Sequence, residues 1–165
     1  MFEKFSFKCH NSYVFVIRLS THASPIMWWN CYLSDHAHYY QGGAPFEFIL
    51  FNPKELTVTR EIIGPDVAAG HKLQVVVQGG VWKAGRLLTK GQISHDGYVS
   101  KSECDYCLHA QAIAPGFDLS DFQFIKSEQV MAEVPTMFVK DILKYCHDKS
   151  EDWASYYKDG DLTEA

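Results

Sequence analysis

Short runs of β-branched and aromatic residues, cut by Gly, Pro and Asn at roughly 8–12-residue intervals, fill the chain from Tyr13 to Ile125, the spacing of antiparallel sandwiches and barrels. The alternation predicts strands over Tyr13–Ser20, Ile26–Tyr32, Asp35–Tyr40, Phe46–Phe51, Leu56–Ile63, Leu73–Val77, Val81–Leu88, Tyr106–Ile113 and Phe122–Ile125. Asn52-Pro53 and Gly64-Pro65-Asp66 are firm stops, and the Gly42-Gly43 and Gly79-Gly80 pairs are expected to be hairpin turns. Ala114-Pro115-Gly116-Phe117-Asp118 closes a further strand with a fixed φ and a Gly free to turn. The polar stretch Gly91–Glu103 is expected to be a mobile loop. From Pro135 the period becomes helical, with Phe138, Ile142, Tyr145 and Cys146 on one face. The start, 1–11, is polar and unpatterned, and 148–165 is an acidic tail anchored only by Trp153, Tyr156 and Tyr157.

Composition narrows the class. The 165 residues are enough for one substantial core, 47% hydrophobic content excludes intrinsic disorder, and 15% aromatic residues fill a wide core or line a ligand site. A net charge of −5, with no basic run, argues against nucleic acid as a partner. No apolar run reaches the ~20 residues that cross a bilayer, and Arg18 interrupts the most apolar N-terminal stretch, which reads as a strand and not a signal peptide. Five cysteines without scaffold spacing favour a reducing compartment, so the expected location is cytoplasmic.

Three blocks carry a family resemblance: Ser34–Gly42 (SDHAHYYQG), Gln74–Ala84 (QVVVQGGVWKA) and Ala112–Phe124, which contains Ala-Pro-Gly-Phe-Asp. Over about residues 12–130 the chain resembles the cupin superfamily, and within it the uncharacterised cupins related in fold to the dTDP-sugar epimerases. The resemblance implies an all-β fold, a double-stranded β-helix or jelly-roll barrel over 1–130 with a ligand pocket between its sheets. A short C-terminal helix and acidic tail over 131–165 cap the same domain, and a homodimer is implied. The family's usual opening helix and Glu-Gly-Gly-Tyr segment are not recognisable in this chain.

Cupin enzymes commonly hold a divalent metal with two His and a Glu from a first motif and one His from a second. By that resemblance the first-motif histidines fall near Trp28–Asn30, where there are none; the Glu position is Asp35 and the second-motif His position is Lys83. We therefore expect no metal and no other cofactor. His36 and His38 share one face of a strand. If Asp35 and Tyr39 point into the barrel, both histidines point out, as a surface or interface pair. His38 also matches a His frequent in the family and stays a candidate, with Lys83, for acid–base chemistry.

A buried Lys83 either loses its proton, for acid–base or Schiff-base work, or keeps it and holds an anion; a snorkelled edge lysine is the alternative. Asp35, Tyr39, Gln74, Trp82 and His109 are the candidate ligand contacts; Gln74 interrupts an apolar strand and must find hydrogen-bond partners if buried. Cys104-Asp105-Tyr106-Cys107 lacks the second pair that a zinc site requires and the βαβ setting of a redox motif, so it reads as incidental. Two main functions remain open, beside a third in which His36, His38 and Asp35 build a displaced metal site. One is metal-independent binding of a small polar ligand, such as a nucleotide, nucleotide-sugar or sugar. The other is a carbohydrate epimerase or isomerase using His, Tyr or Lys as acid and base.

Overall fold

The structure is a computed structural model that describes residues 13–147, so the polar start and the acidic tail with Trp153, Tyr156 and Tyr157 lie outside the described residues. Nine strands follow in order: β1 (Val14–Thr21), β2 (Ile26–Tyr32), β3 (Asp35–Gly43), β4 (Phe46–Asn52), β5 (Thr57–Ile63), β6 (Gln74–Val77), β7 (Trp82–Leu87), β8 (Tyr106–Ala114) and β9 (Phe122–Phe124). They form two sheets, one ordered β1-β8-β3-β6 and the other β5-β4-β7-β2-β9. Every named pairing is antiparallel. This is the expected cupin jelly roll. No helix among the described residues is long and apolar enough to cross a membrane.

The glycine pairs do something other than close hairpins. β6 and β7 flank Gly79-Gly80 yet sit in different sheets, so the turn carries the chain from one sheet to the other. Gly80 has φ +84, and a Cβ on Gly79 would lie 2.1 Å from the Leu33 carbonyl oxygen, so only glycine turns this corner. Gly42 and Gly43 likewise end β3 itself, where the register with β8 slips after Tyr40, before the chain crosses to β4.

The central strands β4 and β7 of the five-stranded sheet are buried on both faces. On β4, Phe46, Phe48 and Leu50 join Met27, Leu87, Val75, Val77 and Cys107 inside the barrel. The alternate residues Ile49 and Phe51 pack with Trp29, Trp82 and Ala84 against two short helices, α1 (Ser127–Glu133) and α2 (Thr136–Leu143). The helical pattern after Pro135 anticipates α2, whose Ile142 joins this second core together with Tyr145 and Cys146; α1 is an addition to the expected architecture. Trp28 and Trp29 together face one partner position on β7, a bulge that turns Trp29 outward and leaves Asn30 opposite Lys83. Trp29 then clamps the cap, its indole Nε1 donating to the Ile142 carbonyl at 2.8 Å and its backbone N to the Tyr145 carbonyl at 2.9 Å.

One charge is fully buried on this helix-facing side. The Glu47 carboxylate accepts from Arg86 Nε at 2.8 Å and from both the backbone N and Nδ1 of His95, at 2.8 and 2.7 Å. Burial alone pushes the Glu47 carboxyl up, but Arg86 and His95 outweigh it and hold it below the usual carboxylate range. His95 lies in the 89–103 segment, which is irregular but tied down; Ser100 Oγ also donates to the Leu88 carbonyl and Lys90 pairs with Glu103.

Removing one partner of such a pair strands the other away from water. Arg86→Met is expected to cost about 3–5 kcal/mol in urea unfolding. Glu47→Met/Arg86→Met is expected to recover most of that loss, and a double variant no more stable than the single would show that the pair is not what holds this region.

Candidate functional site

The polar interior is gathered from both sheets. From the four-stranded sheet come Arg18 on β1, His36 and His38 on β3, and His109 and Gln111 on β8. Asn30 and Tyr32 on β2 and Lys83 on β7 face them from the other sheet. His36, His38, His109, Gln111, Asn30 and Lys83 are all buried. Lys83 Nζ lies 3.0 Å from His38 Nε2 and 4.5 Å above the Tyr32 ring. The His38 ring is 5.1 Å from His109 and 5.5 Å from His36, centroid to centroid, with Phe48 packed beneath at 4.6 Å. Tyr32 continues into an aromatic group with Phe117 and Phe122, at 5.8 and 5.0 Å.

Hydrogen-bond chemistry assigns several protons. Ser34 offers a carbonyl 3.2 Å from His36 Nδ1, so that nitrogen donates and Nε2 keeps its lone pair. With Lys83 donating to His38 Nε2, the His38 proton sits on Nδ1. Burial raises the Tyr32 phenol, against the opposing pull of Arg18 and of the Gln111 side chain. What remains are buried polar atoms with no protein partner: His36 Nε2, His38 Nδ1, both His109 nitrogens, the Gln111 amide nitrogen and Asn30 Oδ1.

The electrostatics are one-sided. Burial, then Lys83, lowers His36 to about 3; burial, then Arg18 and Lys83, lowers His109 to about 3. His38 is lowered well below its ordinary value by burial and then by Lys83 and its imidazole neighbours. Lys83 is itself lowered well below the usual lysine range, by burial first and Arg18 second. Among the described residues, no carboxylate acts on any of these four groups.

Of the residues expected from sequence, His38, Lys83 and His109 come together, and Asp35, Tyr39, Gln74 and Trp82 do not join them. The in–out parity of β3 is the reverse of that expected: His36 and His38 are buried inside, and Asp35 is exposed. The reason is local. Asp35 Oδ1 accepts from the Gly79 backbone N at 2.7 Å, pinning it outside at the Gly79 corner, and Tyr39 stacks on Phe15 across the outer face at 6.5 Å. Gln74 lies opposite Tyr39 on that outer face and is exposed. Trp82 is buried under the helices against Phe51, because its neighbour Lys83 takes the inward position. Arg18, Asn30, Tyr32 and Gln111 were not among the expected site residues. Each is a polar or amphipathic group breaking a strand pattern, the same signal that drew attention to Gln74.

The residues do not fit a divalent metal. Among the described residues no group of three or more His, Cys, Asp or Glu is arranged to hold one. Lys83 caps His38 Nε2, and two basic side chains with no carboxylate face the same space. Cys104 and Cys107 are free thiols, and Cys107 points into the apolar part of the barrel.

A two-sheet antiparallel roll around a buried polar interior is the architecture of a cupin. The chain belongs to the Cupin superfamily (DUF985), whose family model matches residues 6–125. Among solved structures it is similar to a hypothetical protein from Leishmania major, at 23% identity and TM-score 0.68 over 82% of this chain and 76% of that one. A Shewanella oneidensis protein is similar at 18% identity and TM-score 0.67, over 85% and 78%. A dTDP sugar isomerase from Desulfovibrio desulfuricans is more distant, at 12% identity and TM-score 0.51, over 82% and 75%. At these identities the likeness establishes the fold. No curated protein matches the chain in sequence.

Because His36, His38 and His109 are buried neutral and become charged when unfolded, the unfolded chain binds more protons below pH ~6.5. Stability is therefore expected to be full above about pH 6.5 and to fall as the pH drops towards 3, by up to about 1.4 kcal/mol per pH unit for each imidazole. Nitrogen-15 spectra of the imidazoles at pH 6 are expected to show all three rings neutral; imidazolium signals there would overturn the assignment.

Proposed function

We propose that this protein is a metal-independent cupin that binds a small polar ligand in its barrel. One observation carries the reading: six buried polar atoms on His36, His38, His109, Gln111 and Asn30 have no partner among the described residues. Buried donors and acceptors are normally satisfied, and leaving one unmade costs about 1–3 kcal/mol. A ligand rich in hydroxyl or oxyanion groups supplies those bonds, with Tyr32, Phe117 and Phe122 offering ring faces beside it. Nucleotides, nucleotide-sugars and sugars all have this character.

The alternative, a carbohydrate epimerase or isomerase, draws on the direct contact of His38 with Lys83 as an acid–base pair. Binding is favoured because, among the described residues, no carboxylate orients any of the three imidazoles; the hydrogen bond of His36 goes to the Ser34 carbonyl. A thermal-shift screen of nucleotides and sugars is expected to find ligands that raise the melting temperature of wild type, by about 2.7 kcal/mol of stabilisation at a hundredfold excess over Kd. Lys83→Ala and Gln111→Leu are expected to lose those shifts. Ligand shifts that survive both substitutions would place the binding site elsewhere.

We also propose that the chain forms a homodimer through the outer face of the four-stranded sheet. The helices cover the outer face of the other sheet. On this one Tyr13, Phe15, Ile17, Leu19 and Val76 are each more than half exposed, with Tyr39 and Leu108 among them. That is on the order of 500 Å² of contiguous apolar surface, approaching the roughly 800 Å² per partner of a standard interface. Light scattering is expected to give twice the chain mass, and Ile17→Asp to give a folded monomer; a monomeric wild type would remove the proposal.

A further inference from the structure

Resting on the barrel as a ligand site, we infer that the group it recognises is an oxyanion, a carboxylate, phosphate or sulfate, seated between Lys83 and Arg18, and that its binding adds a proton to the protein.

The charges that face Lys83 decide this. From β1 it meets Arg18; from β2, Tyr32 and Cys31; from β3, His38 and His36; from β8, His109. Its nearest pairing on β4 is Leu50, which contributes no charge. None of these neighbours is negative near neutral pH. Burial pushes the Cys31 thiol up to about 11 and raises the Tyr32 phenol, and the imidazoles are neutral. Arg18 is lowered by burial, but a guanidinium remains charged at any working pH. A lysine ammonium would therefore sit out of water beside another cation, with no counter-ion among the described residues. The free protein accordingly favours the neutral amine.

An oxyanion reverses the balance. It gives Arg18 and Lys83 a shared partner, and an opposite charge at close range restores the ammonium form of Lys83. Further donors are in place: the Gln111 amide nitrogen and the His38 Nδ1 proton are both buried and without a protein partner. Two acceptors, His36 Nε2 and Asn30 Oδ1, remain for hydroxyl groups elsewhere on the same ligand. The set suits a molecule with an oxyanion at one end and hydroxyls at the other better than an uncharged polyol.

Isothermal titration with sulfate and malonate at pH 8, in two buffers of different ionisation enthalpy, tests the inference, with glucose as the uncharged control. Neither anion changes its own charge there, so any proton taken up belongs to the protein. Both anions are expected to bind with uptake of up to one proton, and affinity is expected to fall by up to about tenfold per pH unit as the pH rises. Lys83→Met, checked as folded by its melting curve, is expected to lose the uptake and to bind at least about tenfold more weakly. Arg18→Met is expected to weaken binding as well, and serves if Lys83→Met does not fold. Anion binding without proton uptake, or unchanged in the lysine and arginine variants, would overturn the inference. Glucose binding without anion binding would overturn it and leave the barrel a ligand site, whereas failure of the anions, glucose and the nucleotide and sugar panel alike would remove both readings.

Discussion

Both faces of the central strands β4 and β7 are buried, and that constraint orders the rest of the molecule. A strand offers alternate residues to its two sides, so a side chain on these two strands goes either to the helix side or to the barrel. Trp82 and Ala84 take the helix side of β7 while Lys83 takes the barrel side. On β4 the same rule sends Glu47 outward and Phe48 inward. The two buried ionisable groups of this sheet, Glu47 and Lys83, are then accommodated differently. Glu47 finds Arg86 and His95 waiting; Lys83 finds an imidazole, an aromatic ring and another cation. Glu47 is thus a structural charge, whereas Lys83 has no carboxylate beside it among the described residues.

Within the barrel the polar group rests on an apolar floor. Phe48 lies 4.6 Å from the His38 ring and Phe46 5.5 Å from the His109 ring, and both belong to a cluster with Leu50, Met27, Leu87 and Val75. That floor supplies ordinary core burial, about 1.5–3 kcal/mol per large side chain, and it supports a polar end that contributes little to stability by itself. Lowered imidazoles and orphaned amides are unfavourable in a free protein, and such unfavourable features concentrate where a ligand repays them.

Much of the fold was legible in the sequence. Glycine, proline and asparagine mark the strand ends, and most expected strands lie within a residue or two of those observed, as with Leu56–Ile63 against Thr57–Ile63. What a turn signal does not say is where the chain goes next. Gly79-Gly80 reads as a hairpin because the local conformation is similar, yet the partner of each flanking strand is set by tertiary packing. The site was half legible for a related reason. A period of two makes facing an all-or-none property, so placing Asp35 inward turned His36 and His38 outward with it. His38, Lys83 and His109 survive that error because the first two carried independent signals and the third sits on a strand whose direction was not in dispute. Arg18, Asn30 and Gln111 were visible as polar breaks in apolar strands, but a break alone does not tell a barrel contact from a solvent-facing one, as exposed Gln74 shows.

β1 has a dual position in this molecule. It is an edge strand, hydrogen-bonded on one side to β8, and its inward face delivers Arg18 to the barrel while its outward face presents Phe15, Ile17 and Leu19. Whatever grips the outer face also steadies the strand that aims the guanidinium. If the barrel takes a ligand and that surface a second copy, any coupling between them through this eight-residue segment acts equally in both directions. Ligand affinity would then be a function of the protein's own concentration.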